Sequence, residues 1–354
     1  MATQTTNYGL IKPAQSDFYD IEDFNDNADK IDEQMKLNAD AAEQNADSID
    51  NIEEDIATII SNIGVLNTLS TDAKNSLVAA INSLVSIVND AANRTFYIGR
   101  DLTVVFADEI ANYTDEWQWI QARLNNHDVS GFRVSDYIPI TIAASGSVPA
   151  ETHRAEIAGI NPYYKTGDTA VGYQIDWITK DCYSQTVQWN TSNNNNGSAD
   201  NSNPFLVSNL KYWLDNTLYP LLPSKLKSVI KGKRVLAPYR YTSGSALTDD
   251  NSWGWETFDK LWVPFEHEIF DQTVWSTRGY GNGQAIQYPI FANSYAHRIK
   301  GAGPNGSRCN WWTASARSGH SPYVVSVYGN GLAGYTDASY AYRVPVCFRT
   351  MEAA

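Results

Sequence analysis

"IEDFNDNADKIDEQMKLNADAAEQNADSIDNIEEDIATIISNIGVL" runs from Ile21 to Leu66 and repeats apolar residues at spacings of three and four. One series reads Ile21, Ala28, Met35, Ala42, Ile49, Ile56 and Ile63; the other reads Phe24, Ile31, Asn38, Asn45, Ile52, Ile59 and Leu66. These are the a and d positions of a heptad kept in one register for about seven repeats. The surface helix of a globular domain drifts out of such a pattern, because 3.6 residues per turn does not divide seven evenly. The stretch therefore predicts a coiled-coil stalk. Ile at both a and d, from Ile49 to Ile63, disfavours the two-stranded form, and a homotrimer of parallel chains is expected. Asn38 and Asn45 are polar d positions, which cost stability and fix register.

Downstream, Gly64 and "LNTLSTDAKN" interrupt the repeat. A second helix is expected from Thr71 as N-cap, with Asp72 in its first turn and a stripe of Leu77, Ala80, Ile81, Leu84 and Val88. After Asn93 the chain turns aromatic, with Gly, Pro and strand-like runs. "TFYIGRDLTVVFA" (95–107) and "FRVSDYIPITIAA" (132–144) read as strands, with a helix at "DEWQWIQARLNN" (115–126) between them. "LVSNLKYWLDNTLYPLL" (206–222) reads as another helix, and "NTSNNNNGSADNSNPF" (190–205) as a low-complexity polar loop that builds no core. The fold class is α+β. Four parts are expected: 1–20, the stalk and second helix over 21–95, a small α/β segment over 96–148, and a loop-rich domain over 149–354.

The net charge of -14 argues against nucleic acid and anionic membrane as main partners. No apolar run approaches the roughly 20 residues of a membrane span, and "MATQTTNYGLIKP" lacks the basic start and apolar core of a signal peptide. Synthesis in a cytoplasm is expected, with any export by another route such as cell lysis. Three cysteines (Cys182, Cys309, Cys347) are too few and scattered for a disulfide scaffold; buried thiols are expected, with a Cys309–Cys347 bridge as the alternative. The 11 Trp and 21 Tyr suit a binding surface, since both supply large contact area at low entropic cost.

Candidates for chemistry are weak. "FEHEIF" (265–270) holds Glu266, His267 and Glu268, but adjacent strand residues point to opposite faces, and a solvated edge is expected. The five histidines show no ligand spacing, and Asp249, Asp250 and Asn251 read as a turn. "GYGNGQ" and "GNGLAG" lack the Lys of a phosphate loop, and no Gly-x-Ser-x-Gly elbow occurs. No catalytic set, metal or cofactor is called for.

Two resemblances add to this reading. "NYGLIKPAQSDFYDIEDFNDNADKID" resembles the opening of tail fibre proteins of bacteriophages of Gram-positive hosts, through Leu10, Lys12, Pro13, Asp17, Asn25, Asn27, Ile31 and Asp32. "LSTDAKNSLVAAINSL" resembles a segment of phage structural proteins. The resemblance implies that residues 1–20 dock on the phage tail or baseplate while the C-terminus meets the host. Further on, "YQIDWITKD", "LKYWLDNTLYPLLPSKLKSVI", "DKLWVPFEHEIFD", "YPIF" and "RCNWWTASA…VSVYGNG…YRVPVCF" follow the order of a C-type-lectin-like domain of phage and bacterial surface proteins. Some phages diversify such tropism determinants by targeted mutagenesis. The Trp311–Trp312 pair is the most specific element, and "YRVP" at 342–345 departs from the usual Gly-Val-Arg-Pro ending.

In such a fold a small antiparallel sheet carries the terminal stretch, Arg308 to Arg349. Trp312, Val325, Val327, Val344, Val346 and Phe348 would face the core in rough alternation, with the intervening positions outward. The candidate contacts with a host receptor, glycan or protein, are then Asn310, Arg317, Ser318, His320, Ser321, Tyr323, Tyr328, Asn330, Leu332, Tyr335, Asp337, Tyr340 and Tyr342. The competing readings are a fibre-borne polysaccharide-cleaving enzyme, which takes two carboxylates in one cleft, and a purely structural fibre component. The lectin-like fold also occurs in enzymes that oxidise a peptide cysteine to formylglycine, for which Cys309 and Cys347 are poor evidence.

Overall fold

The computed structural model describes residues 3–14, 18, 20–63, 77–92, 97–164, 167–169, 171–195, 203–238, 253–276 and 286–353. Thr71 and Asp72, the Asp249 cluster and "GYGNGQ" lie outside them. The chain divides into two units, Met1–Arg94 and Thr95–Ala354.

In the first unit β1 (Thr3–Gln4) pairs antiparallel with β2 (Ile11–Lys12), ahead of helix α1 (Ile21–Ile63). Asn27 ties the two together: its Oδ1 accepts from Ile11 N at 2.6 Å and its Nδ2 donates to Ile11 O at 2.9 Å. The 43-residue α1 spans the expected heptads. Ile21, Phe24, Ile31, Met35, Ile49, Ile52, Ile56 and Ile59 are between 46% and 67% exposed on the single helix. Helix α2 is Leu77–Ala92.

The second unit begins with two short helices, α3 (Leu102–Val105) and α4 (Ala107–Ile110), where residues 95–107 were expected to form a strand. Local chemistry overrides the Val-Val propensity. Asp101 Oδ1 accepts from Thr103 N at 2.9 Å and Thr103 Oγ1 at 2.6 Å, nucleating a helical turn. Helix α5 (Glu116–Asn125) and strand β3 (Tyr137–Ile142) fall where expected. Gly99 has φ +76°, and a Cβ there would lie 1.8 Å from Ser135 O, so only glycine allows this approach.

The chain continues through β4 (Glu151–Ile160), β5 (Gln174–Thr179), β6 (Val187–Gln188) and α6 (Asn209–Trp213), which runs on as a π-helical turn over Leu214–Leu218. Next come α7 (Ser224–Lys227), β7 (Ile230–Lys231), β8 (Lys233–Pro238), β9 (Trp253–Phe258), α8 (Glu266–Phe270) and α9 (Pro289–Asn293). The last elements are β10 (Lys300–Gly301), β11 (Arg308–Cys309), β12 (Trp311–Ala316), β13 (Tyr323–Val327), β14 (Ala333–Asp337), β15 (Ala341–Tyr342) and β16 (Cys347–Met351). The architecture is thus mixed α+β, with a long N-terminal helix and a β-rich C-terminal part.

A five-stranded sheet ordered β3-β4-β5-β16-β7 forms the base of this unit. The border expected at 148/149 falls between its paired strands β3 and β4, so residues 96–148 are part of the same body. Trp117 from α5 packs edge-on against Trp177 and Phe348 of the sheet, at 5.3 and 5.6 Å. Within the core lies an ionic network. Arg349 and Asp176, opposite each other on β16 and β5, form a bidentate pair at 2.6 and 2.8 Å, and Tyr288 OH donates to the same carboxylate. Glu268 takes Lys233 Nζ and Tyr163 OH, each at 2.5 Å, while the Lys233 ammonium sits 4.0 Å from the Trp262 ring centre. Such burial is tolerable only because each charge meets a partner.

One other expectation is corrected, and for the cysteines the expected buried thiols hold while the alternative bridge does not. Residues 265–270 are a buried helix, not a solvated strand edge: Glu268 Oε2 caps it by accepting from Phe265 N at 2.8 Å. All three cysteines are free and buried, and the Cys309 thiol neighbours Cys182 rather than Cys347.

A candidate recognition face

Strands β12, β13 and β14 form a three-stranded antiparallel sheet, with Val325 opposite Tyr335 and Tyr323 opposite Asp337. Trp312, Val325, Val327, Val344, Val346 and Phe348 are buried, as expected. The expected alternation fails, because Trp311, Thr313, Ser315, Val324 and Ser326 are buried as well. Strands β12 and β13 are covered on both faces, and several of their polar groups are used internally. Thr313 Oγ1 donates to Val325 O at 2.8 Å, and Ser315 Oγ accepts from Glu266 N at 2.8 Å. The indoles of Trp312 and Trp189 donate to Val187 O and Thr313 O.

Outward freedom therefore resides at strand ends and turns rather than on strand faces. His320, Tyr328, Asn330, Leu332 and Tyr340 are exposed; Asn310, Arg317, Ser318, Ser321, Tyr323, Tyr335, Asp337 and Tyr342 are half-buried. The candidates do not act as one group. Asn310 Oδ1 accepts from Gly329 N at 2.8 Å and Tyr342 packs 4.8 Å from Trp312, so both serve the framework. The Tyr328 ring lies over Gly334, where a Cβ would come within 2.2 Å of it, and Tyr295 OH donates to Asn330 O.

Arg317, Tyr323 and Tyr335 do converge, joined by Trp275, which the sequence reading missed. The Arg317 guanidinium carbon is 3.7 Å from the Tyr335 ring centre and 5.3 Å from those of Trp275 and Tyr323. Tyr335 meets Trp275 at 4.8 Å and Tyr323 at 5.3 Å. The Trp275 backbone is fixed by buried Glu266, whose carboxylate accepts from Trp275 N at 3.0 Å and from Ser276 N and Oγ at 2.8 and 2.6 Å. Burial raises the Glu266 pKa, and the hydrogen bonds from Ser276 and the neighbouring backbone oppose that rise.

The turn between β12 and β13 is held from a distance. Asn195 is fully buried, and its Nδ2 donates to Arg317 O at 3.3 Å, His320 O at 2.9 Å and Tyr323 O. Asn193 Oδ1 accepts from Ser339 N at 3.2 Å, and Asn190 N donates to Ala338 O at 2.9 Å. The described part of the Asn-rich stretch thus braces the face, and buried Asn195, Asn203 and Phe205 correct the expectation of a loop that builds no core. An amide that donates twice is suited to bridging backbone carbonyls of a turn, but nothing in an Asn run says which Asn is buried. A separate groove of about 310 Å³ is lined by Tyr137, His153, Arg154, Lys180 and Asp181 among others, and by none of the candidate residues.

Residues 174–350 match a family model described as a domain of unknown function, DUF6273. No curated protein and no solved structure matches the chain. The match runs from β5 to β16, takes in the whole face and covers half of the 354 residues, so this chain belongs to the DUF6273 family.

Proposed function

We propose that this chain is a homotrimeric bacteriophage tail fibre that attaches the virion to a bacterial surface through the face around β12–β14 of a C-type-lectin-like domain. The observation that carries the reading is a buried frame of six residues beneath half-buried Arg317, Tyr323 and Tyr335 and exposed His320, Tyr328, Asn330, Leu332 and Tyr340. Rigid aromatics beside small polar groups form an adaptable recognition surface. The exposed a and d residues of α1 support the trimer, since in water such a stripe is stable only against like helices. The Asn27 clamp on β2 favours a folded attachment segment at the N-terminus over a loose leader. Three tips on one stalk make later contacts intramolecular, so avidity exceeds single-site affinity by about 100-fold or more.

Cleavage of a polysaccharide fits less well, because Asp337 is the one carboxylate among the thirteen candidates. The reading is tested with labelled full-length protein on a panel of Gram-positive cells, beside a variant with Tyr323, Tyr328, Tyr335 and Tyr340 all replaced by Ala. Saturable binding by the wild type and its loss in the variant are expected. Undiminished binding by the variant, or sedimentation of the wild type as a single chain, overturns the reading.

A further inference from the structure

We propose that Arg317, framed by Trp275, Tyr323 and Tyr335, is a receptor for an oxyanion, a phosphate ester or carboxylate, borne on a host-surface polymer. The inference rests on the attachment reading and names the chemistry of its ligand. Arg100, Arg123, Arg234 and Arg349 of the same unit each close an ion pair with a carboxylate. Arg133, Arg154, Arg298, Arg308 and Arg343 form none among the described residues, and neither does Arg317, but of these Arg317 alone meets three aromatic rings. Asp337, opposite Tyr323 in register, does not pair with it either. This occurs in a chain where 40 acids outnumber 26 bases, so a carboxylate could readily have been supplied.

The rings hold the cation by their quadrupoles and fix its position, but they take up none of its five N–H donors in the way an oxyanion does. A guanidinium ordered in this way loses little further freedom when a phosphate or carboxylate docks on its fork. The frame is itself immobilised. Glu266 pins Trp275, Ser318 N donates to Trp275 O at 2.8 Å, and Asn195 ties Arg317 and Tyr323 by their carbonyls. His320, its ring 6.1 Å from Tyr323, and the hydroxyl of Ser318 belong to the same turn and can add donors. The ring edges beside the charge suit the C–H faces of the sugar or polyol that carries the anion.

The experiment uses the full chain on immobilised poly(glycerol phosphate), polygalacturonate and uncharged dextran, with wild type, Arg317→Gln and Arg317→Lys. The wild type is expected to bind one or both charged polymers and not dextran; which one it binds identifies phosphate or carboxylate as the source. Arg317→Gln should weaken that binding about tenfold or more, and Lys should recover only part of it, since it restores charge without the fork. Inorganic phosphate competing the wild type off the charged polymer tests the site without any substitution. Unchanged affinity in Arg317→Gln, binding to dextran alone, or no binding to either charged polymer overturns the proposal. Cell attachment that is lost in the tyrosine variant but kept in Arg317→Gln sinks the oxyanion site and leaves the attachment reading standing. Binding to a charged polymer without binding to any cell does the reverse.

Discussion

Helix α1 and the C-terminal unit solve burial in opposite ways. Along α1 the large apolar residues lie exposed at seven-residue intervals. In the C-terminal unit the apolar residues are already enclosed, and charged ones are enclosed with them: Lys233, Glu268, Asp176 and Arg349 are fully buried. The helix encloses none of this stripe by itself, whereas the C-terminal unit carries a self-contained core in which buried charges are paired. Order in the first is repetitive and tolerant; in the second it is singular and brittle.

That contrast can be broken most sharply at the ionic network. Arg349→Ala leaves Asp176 buried without its counter-ion, and a loss of about 3–5 kcal/mol is expected. All 11 Trp lie at or beyond Trp117, so tryptophan fluorescence follows this unit alone. A denaturant midpoint unmoved by the substitution would mean the network is ornamental.

Acid should act on the same unit with somewhat smaller force. Burial depresses the His267 pKa from 6.5 to about 4, so below pH 6.5 the unfolded chain binds a proton that the folded one refuses. Stability is then full above pH 6.5 and falls as pH drops towards 4, by up to about 3 kcal/mol. Glu266, whose pKa burial raises, works with the opposite sign, because there the folded state takes the proton first. Fluorescence-detected unfolding at stepped pH should show the decline in wild type and a shallower one in His267→Gln. Equal slopes would remove His267 as its source.

The smallest effect belongs to the stalk. Replacing Asn38 and Asn45 by Ile should raise the far-ultraviolet dichroism transition of α1, by about 1 kcal/mol per site, at the cost of a single oligomeric state. The fluorescence transition should stay where it was. If both transitions move together, the two regions are not energetically separate.

The same contrast explains what could be read from residue order. The helix α1 was legible because each apolar residue has its like three or four positions away. Helix α5 was legible through its Asp115 cap, and strand β3 through its alternation of buried and less buried residues. The stretch 95–107 misled because Asp101 starts helical turns that Val104 and Val105 do not foretell. Residues 265–270 misled because Glu266 finds its partners in Trp275 and Ser276, and Glu268 in Tyr163 and Lys233. For the face, the tyrosines and Arg317 were visible as a type of composition. Trp275 and Asn195 were not, since the carbonyls that Asn195 bridges are 122 to 128 residues away.

Strand β16 lies between β5 and β7 in the five-stranded sheet, and its Arg349 closes on Asp176 across 173 positions of chain. Translation delivers β5 long before it delivers β16, so the centre of the sheet stays unzipped until residue 351 has left the ribosome. Pairing at such separation is slow, because the loop-closure entropy must be met before any contact repays it. Helix α1 needs only local turns and is complete far earlier. The long helix of the first unit can thus be complete while the central sheet of the second is still open, so the two units finish folding at different times.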